Sequence, residues 1–327
     1  MSPIRSLGNT IASFRNRFGN TGTNASEPAP LITKATGGDI VFLDDGYIYH
    51  VYTTTGASTF VVTNGPITAQ YLVVGGGGAA GSPGGGGGGG GGAGGLLNST
   101  VPLANNPYPV VVGAGGAFVN ASDVSSGLDS KFNTAVAAGG GRGGHYNPVL
   151  ASYRGADSGG SGGGAEAKDR DTGAGTGNVY APNSPLHPSP APGQGNGGGD
   201  SPTPNNPGNN TGGGGGGGAG GVGGSVSAPT PRAGDGGNGL AVPWIPPAYG
   251  TPGPDGSLRY FAGGGGGGGQ DLAGGNGGYG GGGDGGGGAS PPDANPGTAN
   301  TGGGAGAGKP GTGAPGGSGI VIVRYTS

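Results

Sequence analysis

The residues able to do chemistry are few and scattered. His50, His145 and His187 are the only histidines, and there is no cysteine. Thiol nucleophiles, disulfide frameworks and Cys-ligated zinc are therefore excluded. The histidines stand at no metal-ligating spacing, and His50 reads as a sheet residue in an alternating block. Gly303 to Lys309 follows the phosphate-loop pattern until Pro310, where a Ser or Thr must hold magnesium. It also lacks a strand before it and a helix after it. Lys168-Asp169-Arg170-Asp171 reads as a solvated loop, with cation binding by the two aspartates as a minor option. Arg142-Gly143-Gly144 is a single glycine–arginine unit. With a net charge of −3 and a pI near 5.5, nucleic acid is not an expected partner. No catalytic constellation emerges. The chain reads as a non-enzyme with no cofactor and no metal.

Recognition is a better use of the residues present. Aromatics and cations concentrate between glycine runs. One loop carries His145, Tyr146, Tyr153 and Arg154. A second carries Tyr180 and His187. A third carries Trp244 and Tyr249 and leads to Arg259, Tyr260 and Phe261. Tyr, Trp and Arg bury much area at low entropic cost, so they make small interfaces tight. These eleven residues form the candidate receptor-binding set. The competing reading is that they cap the ends of a glycine bundle.

The elements that position these loops are dominated by 96 glycines in 327 residues, in runs such as Gly84 to Gly92, Gly212 to Gly218 and Gly263 to Gly269. Collagen needs glycine at every third place with other residues between. An α-helix loses about 1 kcal/mol per glycine. The remaining ordered state is the extended left-handed threefold helix, whose neighbours bond to one another through the backbone. About eleven such runs, separated by turn residues, predict a layered polyglycine II sandwich with loops at both ends.

Around it lie more conventional elements. Ile4, Leu7, Ile11, Phe14 and Phe18 recur at three- and four-residue spacing and predict an amphipathic helix over 1–19. A helix this short is marginal alone. It is expected to anchor into another protein, to dock on its own body, or to bundle with copies of itself. Residues 20–37 are a polar linker. Residues 38–74 predict an antiparallel β-domain with a turn at Asp44-Asp45-Gly46, joined by 320–325. Strand blocks 108–112 and 131–136 extend it. Residues 75–319 are the glycine sandwich. The expected class is mainly β plus polyglycine II, with a short N-terminal α-helix.

A family resemblance rests on four stretches. They are the stretch from Asp39 through DGYIYHVYTTTGASTFVV to YLVVGGGGAAG, ending at Gly81, VVVGAGG at Val110 to Gly116, NTGGGAGAG at Asn300 to Gly308, and GGSGIVIVRY at Gly316 to Tyr325. Together they resemble glycine-rich virion proteins of tailed phages. The glycine part is similar to the receptor-binding adhesin at the tip of T-even long tail fibres. No match to that adhesin's fibre-attachment domain is present. The resemblance implies a virion location and loops that recognise a host glycan or outer-membrane protein. Alternatives are a capsid or tail decoration protein without a receptor role, and an ice-binding protein.

Overall fold

β-Branched and aromatic residues cluster in residues 35–137 and 320–326, and most strands form there, as those side chains favour. The computed structural model describes residues 33–82, 86–120, 123–147, 152–167, 194–201, 212–226, 232–270, 272–288, 294–308 and 312–327. In chain order the strands are β1 (Ala35–Thr36), β2 (Ile40–Asp44), β3 (Tyr47–Tyr52), β4 (Gly56–Val62), β5 (Ile67–Val74), β6 (Leu96–Leu103), β7 (Pro107–Val112), β8 (Phe118–Asn120) and β9 (Asp123–Val124). They continue as β10 (Ser130–Phe132), β11 (Ala135–Ala137), β12 (His145–Asn147), β13 (Ser152–Arg154), β14 (Leu240–Ala241), β15 (Thr251–Pro252), β16 (Arg259–Phe261) and β17 (Ile320–Thr326).

These assignments correct the expected fold class. The described residues are all-β, in five antiparallel sheets, and contain no helix. The physical reason is composition: the segments are β-branched and aromatic, or glycine, and neither favours a helix. The helix expected over 1–19, with Ile4, Leu7, Ile11, Phe14 and Phe18, lies outside the described residues. The blocks at 108–112 and 131–136 also depart from expectation. They do not extend the sheet of β3 and β5 but belong to a second sheet.

The first sheet runs β2-β3-β17-β5-β6 and the second β1-β4-β7-β10-β11. Asp45 and Gly46 both have positive φ and close the β2–β3 hairpin as its two loop residues. β17 inserts between β3 and β5, with Val323 opposite His50 and Tyr71. One face of the first sheet (Ile48, Tyr52, Val73, Val321, Val323, Tyr325) packs on Phe60, Val62, Val110 and Phe132 of the second. The other face (Tyr49, Val51, Leu72, Val74, Ile320, Ile322) packs on Val242, Ile245, Phe261 and Ala262. A strand covered on both faces needs an unbroken apolar run, which is what Ile320-Val321-Ile322-Val323 supplies.

His50 sits in the first of these cores. Its Nδ1 donates to the Gly37 carbonyl at 2.6 Å, so Nε2 is the acceptor for the Tyr325 hydroxyl at 3.2 Å. Burial pushes its pKa below the ordinary value, against the opposing effect of the Gly37 bond.

The glycine runs carry almost no strand assignment, and their hydrogen bonds explain why. Along one run, Gly89, Gly92 and Gly95 donate to Gly144, Gly141 and Ala138. Gly90 and Ala93 donate to Gly214 and Gly217, while Gly91 and Gly94 donate to Ala305 and Gly302. Successive amides thus turn through three directions and return every third residue, as a threefold extended backbone requires. The same run accepts bonds from Gly75, Gly78 and Gly81, from Ser161 and Gly164, and from Gly265 and Gly268. It therefore touches six neighbouring segments, whereas a strand touches two. A Cβ at Gly265 would lie 1.8 Å from the Ala305 carbonyl oxygen.

At the rim, where a segment lacks an outer neighbour, side-chain oxygens take over. Asp235 Oδ1 accepts from Asn276 N at 2.6 Å, Asn238 Oδ1 from Tyr279 N at 3.2 Å, and Asp284 Oδ1 from Gly277 N at 2.8 Å. Residues 235 and 238, like 276 and 279, are three apart and so share a face of the threefold backbone.

Two outcomes follow. Gly265→Ala should lose about 1–3 kcal/mol or more by overpacking, while Val222→Ala at the exposed rim should change little; chemical denaturation measures both. Stability should fall as pH drops below about 6.5, since the unfolded chain takes a proton that buried His50 resists. His50→Gln should reduce that slope by up to about 1.4 kcal/mol per pH unit, read from denaturation midpoints from about two units below to about one unit above the ordinary histidine value.

Candidate functional site

The glycine segments give the body two ends. At the near end, Gly75, Gly95, Gly113 and Gly319 adjoin the two large sheets. They are tied to one another there: Gly75 N donates to Gly95 O, and Gly319 N to Gly113 O. At the far end, Gly81 bonds Gly89, Gly268 bonds Gly88, and the bridges Gly212–Gly269 and Ala307–Gly313 cross between segments. From Gly75 to Ser82 is about 20 Å at about 3.1 Å per residue.

The candidate receptor residues separate between these ends. The β12–β13 hairpin pairs His145 with Arg154 and Tyr146 with Tyr153. It is fixed at the far end by Tyr146 N donating to Ser82 O at 3.0 Å. His145 is buried there, beside buried Ser82 and Glu166, and Tyr146 is half-buried. Trp244, Tyr249, Arg259, Tyr260 and Phe261 lie in the β14-β16-β15 lobe at the near end. Tyr180 and His187 fall outside the described residues.

Within the near-end lobe, most of the aromatics serve packing. Phe261 is fully buried, and Trp244 and Tyr249 pack against the second core. Trp244 is the hub. Its indole N–H donates to Asn98 Oδ1 on β6 at 3.1 Å, and its carbonyl accepts from the Tyr49 hydroxyl on β3 at 3.1 Å. The Arg324 guanidinium from β17 lies 4.1 Å from the Tyr47 ring centre and 4.6 Å from that of Trp244. It also donates to Gln70 Oε1 at 2.9 and 2.7 Å and to Tyr49 Oη at 2.8 Å. This clasp fastens the lobe to the first sheet through cation–π contact and charge-assisted bonds. The sequence points to Trp244 but not to its partners Arg324, Tyr47 and Asn98, which are distant along the chain.

Two rings are left over: Tyr279 is exposed, and Tyr260 is half-buried with its ring against Gly253. Tyr260 stands opposite Thr251 in the β15–β16 ladder, and its ring centre is 6.3 Å from that of Tyr279, at 55°. Tyr279 is 46% exposed, and neither ring belongs to a core cluster. The amides at and beside Tyr279 are held by side chains: Asn238 Oδ1 accepts from Tyr279 N, and Thr251 Oγ1 accepts from Gly280 N at 2.9 Å. Sequence reasoning passed over Tyr279. A signal was present, since it is the one large residue in the stretch from Gly274 to Gly283. Among the described residues no His, Asp and Glu side chains gather as a metal site.

Among the described residues, glycine segments bonded backbone to backbone and closed by paired β-sheets make a glycine-rich, all-β body. The family model described as "Glycine-rich domain" matches residues 53–326, and the chain belongs to that family. No curated protein matches the chain.

Arg324→Met should cost about 1–2 kcal/mol and shift Trp244 emission to the red. Tyr146→Ala, at the other end, should leave the emission unchanged. Trp244 is the sole tryptophan, so fluorescence reads the clasp directly.

Proposed function

We propose that this chain is a virion structural protein of a tailed phage, acting as a tail-fibre-tip adhesin that recognises a host glycan or outer-membrane protein. The observation that carries this reading is the two-ended body. Paired sheets close the near end, and the β12–β13 hairpin and bridged turns stand at the far end. Rigid backbone bonding between them makes the bundle a stiff spacer that holds loops away from the particle. Residues 1–18 serve as the anchor to another virion protein, or as the contact between copies of this chain. The four resembling stretches supply the phage assignment.

A second reading is a capsid or tail decoration protein. It is favoured by one observation: Trp244, Tyr249 and Phe261 are spent on packing and so are lost as recognition groups. Ice binding draws less support, because the rim rows carry Arg232, Asp235, Asn238 and Asn276 where a flat row of small side chains is required.

Labelling Ser327 on intact particles and imaging them separates the two main readings. Label in few copies at fibre tips is the expected result, with host adsorption reduced several-fold when residues 145–154 are replaced by a short glycine turn. Label spread over the capsid, with adsorption unchanged, would replace the adhesin reading with the decoration reading.

A further inference from the structure

We infer that Tyr279 and Tyr260, with Asn238 and Thr251, form a carbohydrate-binding platform that takes a pyranose residue of a surface polysaccharide. The platform lies at the near end, away from the β12–β13 hairpin, so it is a sugar site apart from the host-facing loops and does not rest on the adhesin reading.

The argument begins with a residue that packing does not explain. Tyr279 interrupts a glycine stretch and occupies a rim position, yet it leaves 46% of its surface in water. Its rim neighbour three residues earlier, Asn276, is small and polar. A single exposed ring is ordinary on a protein surface; what sets this one apart is the second ring and the fixed donors beside it. Tyr260 adds a second ring at 6.3 Å and 55°, so the pair forms an angled wall rather than a closed stack. The apolar C–H face of a pyranose fits against one ring of such a wall while its edge meets the other.

The polar groups beside the rings are neutral and pre-oriented. Asn238 spends Oδ1 on the Tyr279 amide, which fixes the side chain and leaves its NH₂ to donate. Thr251 spends an oxygen lone pair on the Gly280 amide, which leaves its hydroxyl hydrogen to donate. Both bonds are to backbone that is itself locked in the glycine lattice: Gly239 N donates to Tyr279 O at 2.7 Å. Little entropy remains to be lost on binding. The combination of ring faces and fixed amide and hydroxyl donors matches a sugar's alternation of C–H faces and oxygens. A cationic head group would need a carboxylate at the rings. The nearby rim carboxylates of Asp235 and Asp284 instead hold the amides of Asn276 and Gly277.

The test uses the full chain and saturation-transfer NMR. The probes are methyl glycosides of glucose, galactose, mannose and N-acetylglucosamine, and purified lipopolysaccharide oligosaccharides. The expected result is binding of at least one probe with a Kd on the order of 1 mM. Binding should be abolished in Tyr279→Ala, weakened in Asn238→Ala and kept in Tyr279→Phe, with unchanged melting temperature in the two Tyr279 variants. Absence of binding to every probe overturns the platform, as does binding that Tyr279→Ala leaves intact. The adhesin reading is judged separately, by host adsorption of particles. Sugar binding lost in Tyr279→Ala with adsorption unaffected by any loop variant would uphold the platform and defeat the adhesin reading.

Discussion

Everything in this body depends on backbone hydrogen bonds made at a distance that excludes side chains. The threefold segments approach so closely that a Cβ at Gly91 would lie 2.2 Å from the Gly78 carbonyl oxygen. That closeness lets each segment bond to neighbours in three directions, and no water is needed to satisfy its amides. The order is expensive, because glycine loses more backbone freedom on folding than any other residue. The ladders offset that cost collectively, and they need fixed ends to do so. The two large sheets supply the fixed ends: β5, β6, β7, β11 and β17 each feed directly into or out of a glycine segment.

Within the lattice only small side chains such as Ala80, Ala305 and Ala307 are buried, and bulky ones are kept to its margins. At the near end they build conventional cores, where β17 is covered on both faces and Arg324 clasps Trp244. At the rim they replace absent neighbours, as Asp235, Asn238 and Asp284 do by accepting amides. A polar residue at a rim position is thus a structural cap first. The Tyr279 ring caps nothing at its rim position and is left for the proposed sugar contact, whereas Trp244 is committed to packing.

The separation of the two ends has a consequence for recognition. Loops that look equivalent along the chain, at 145–154 and 244–261, stand at opposite ends of the spacer and cannot meet one receptor surface together. The aromatic content of the second loop is largely absorbed by the core, so the surface it offers reduces to Tyr260 and its neighbour Tyr279.

The sequence by itself determined the local chemistry. It excluded thiol chemistry and Cys-ligated metal, marked the Asp45-Gly46 turn, separated the faces of Tyr47 to Tyr52, and pointed to glycine segments that only backbone pairing can order. These features are set by single residues or short periods, so they are legible without partners. The class drawn from it was wrong in including a helix, since the described residues are all-β; the apolar stripe at 1–19 is a local signal whose outcome depends on a partner. Tertiary structure alone decided which strands share a sheet, because β4 and β7 carry the same alternation as β3 and β5 and nothing local tells them apart. It also decided which aromatics are buried. Trp244 meets Asn98 and Arg324 across 146 and 80 residues of chain, and contacts at that separation are fixed by how the glycine lattice folds back on itself, not by any pattern within a loop.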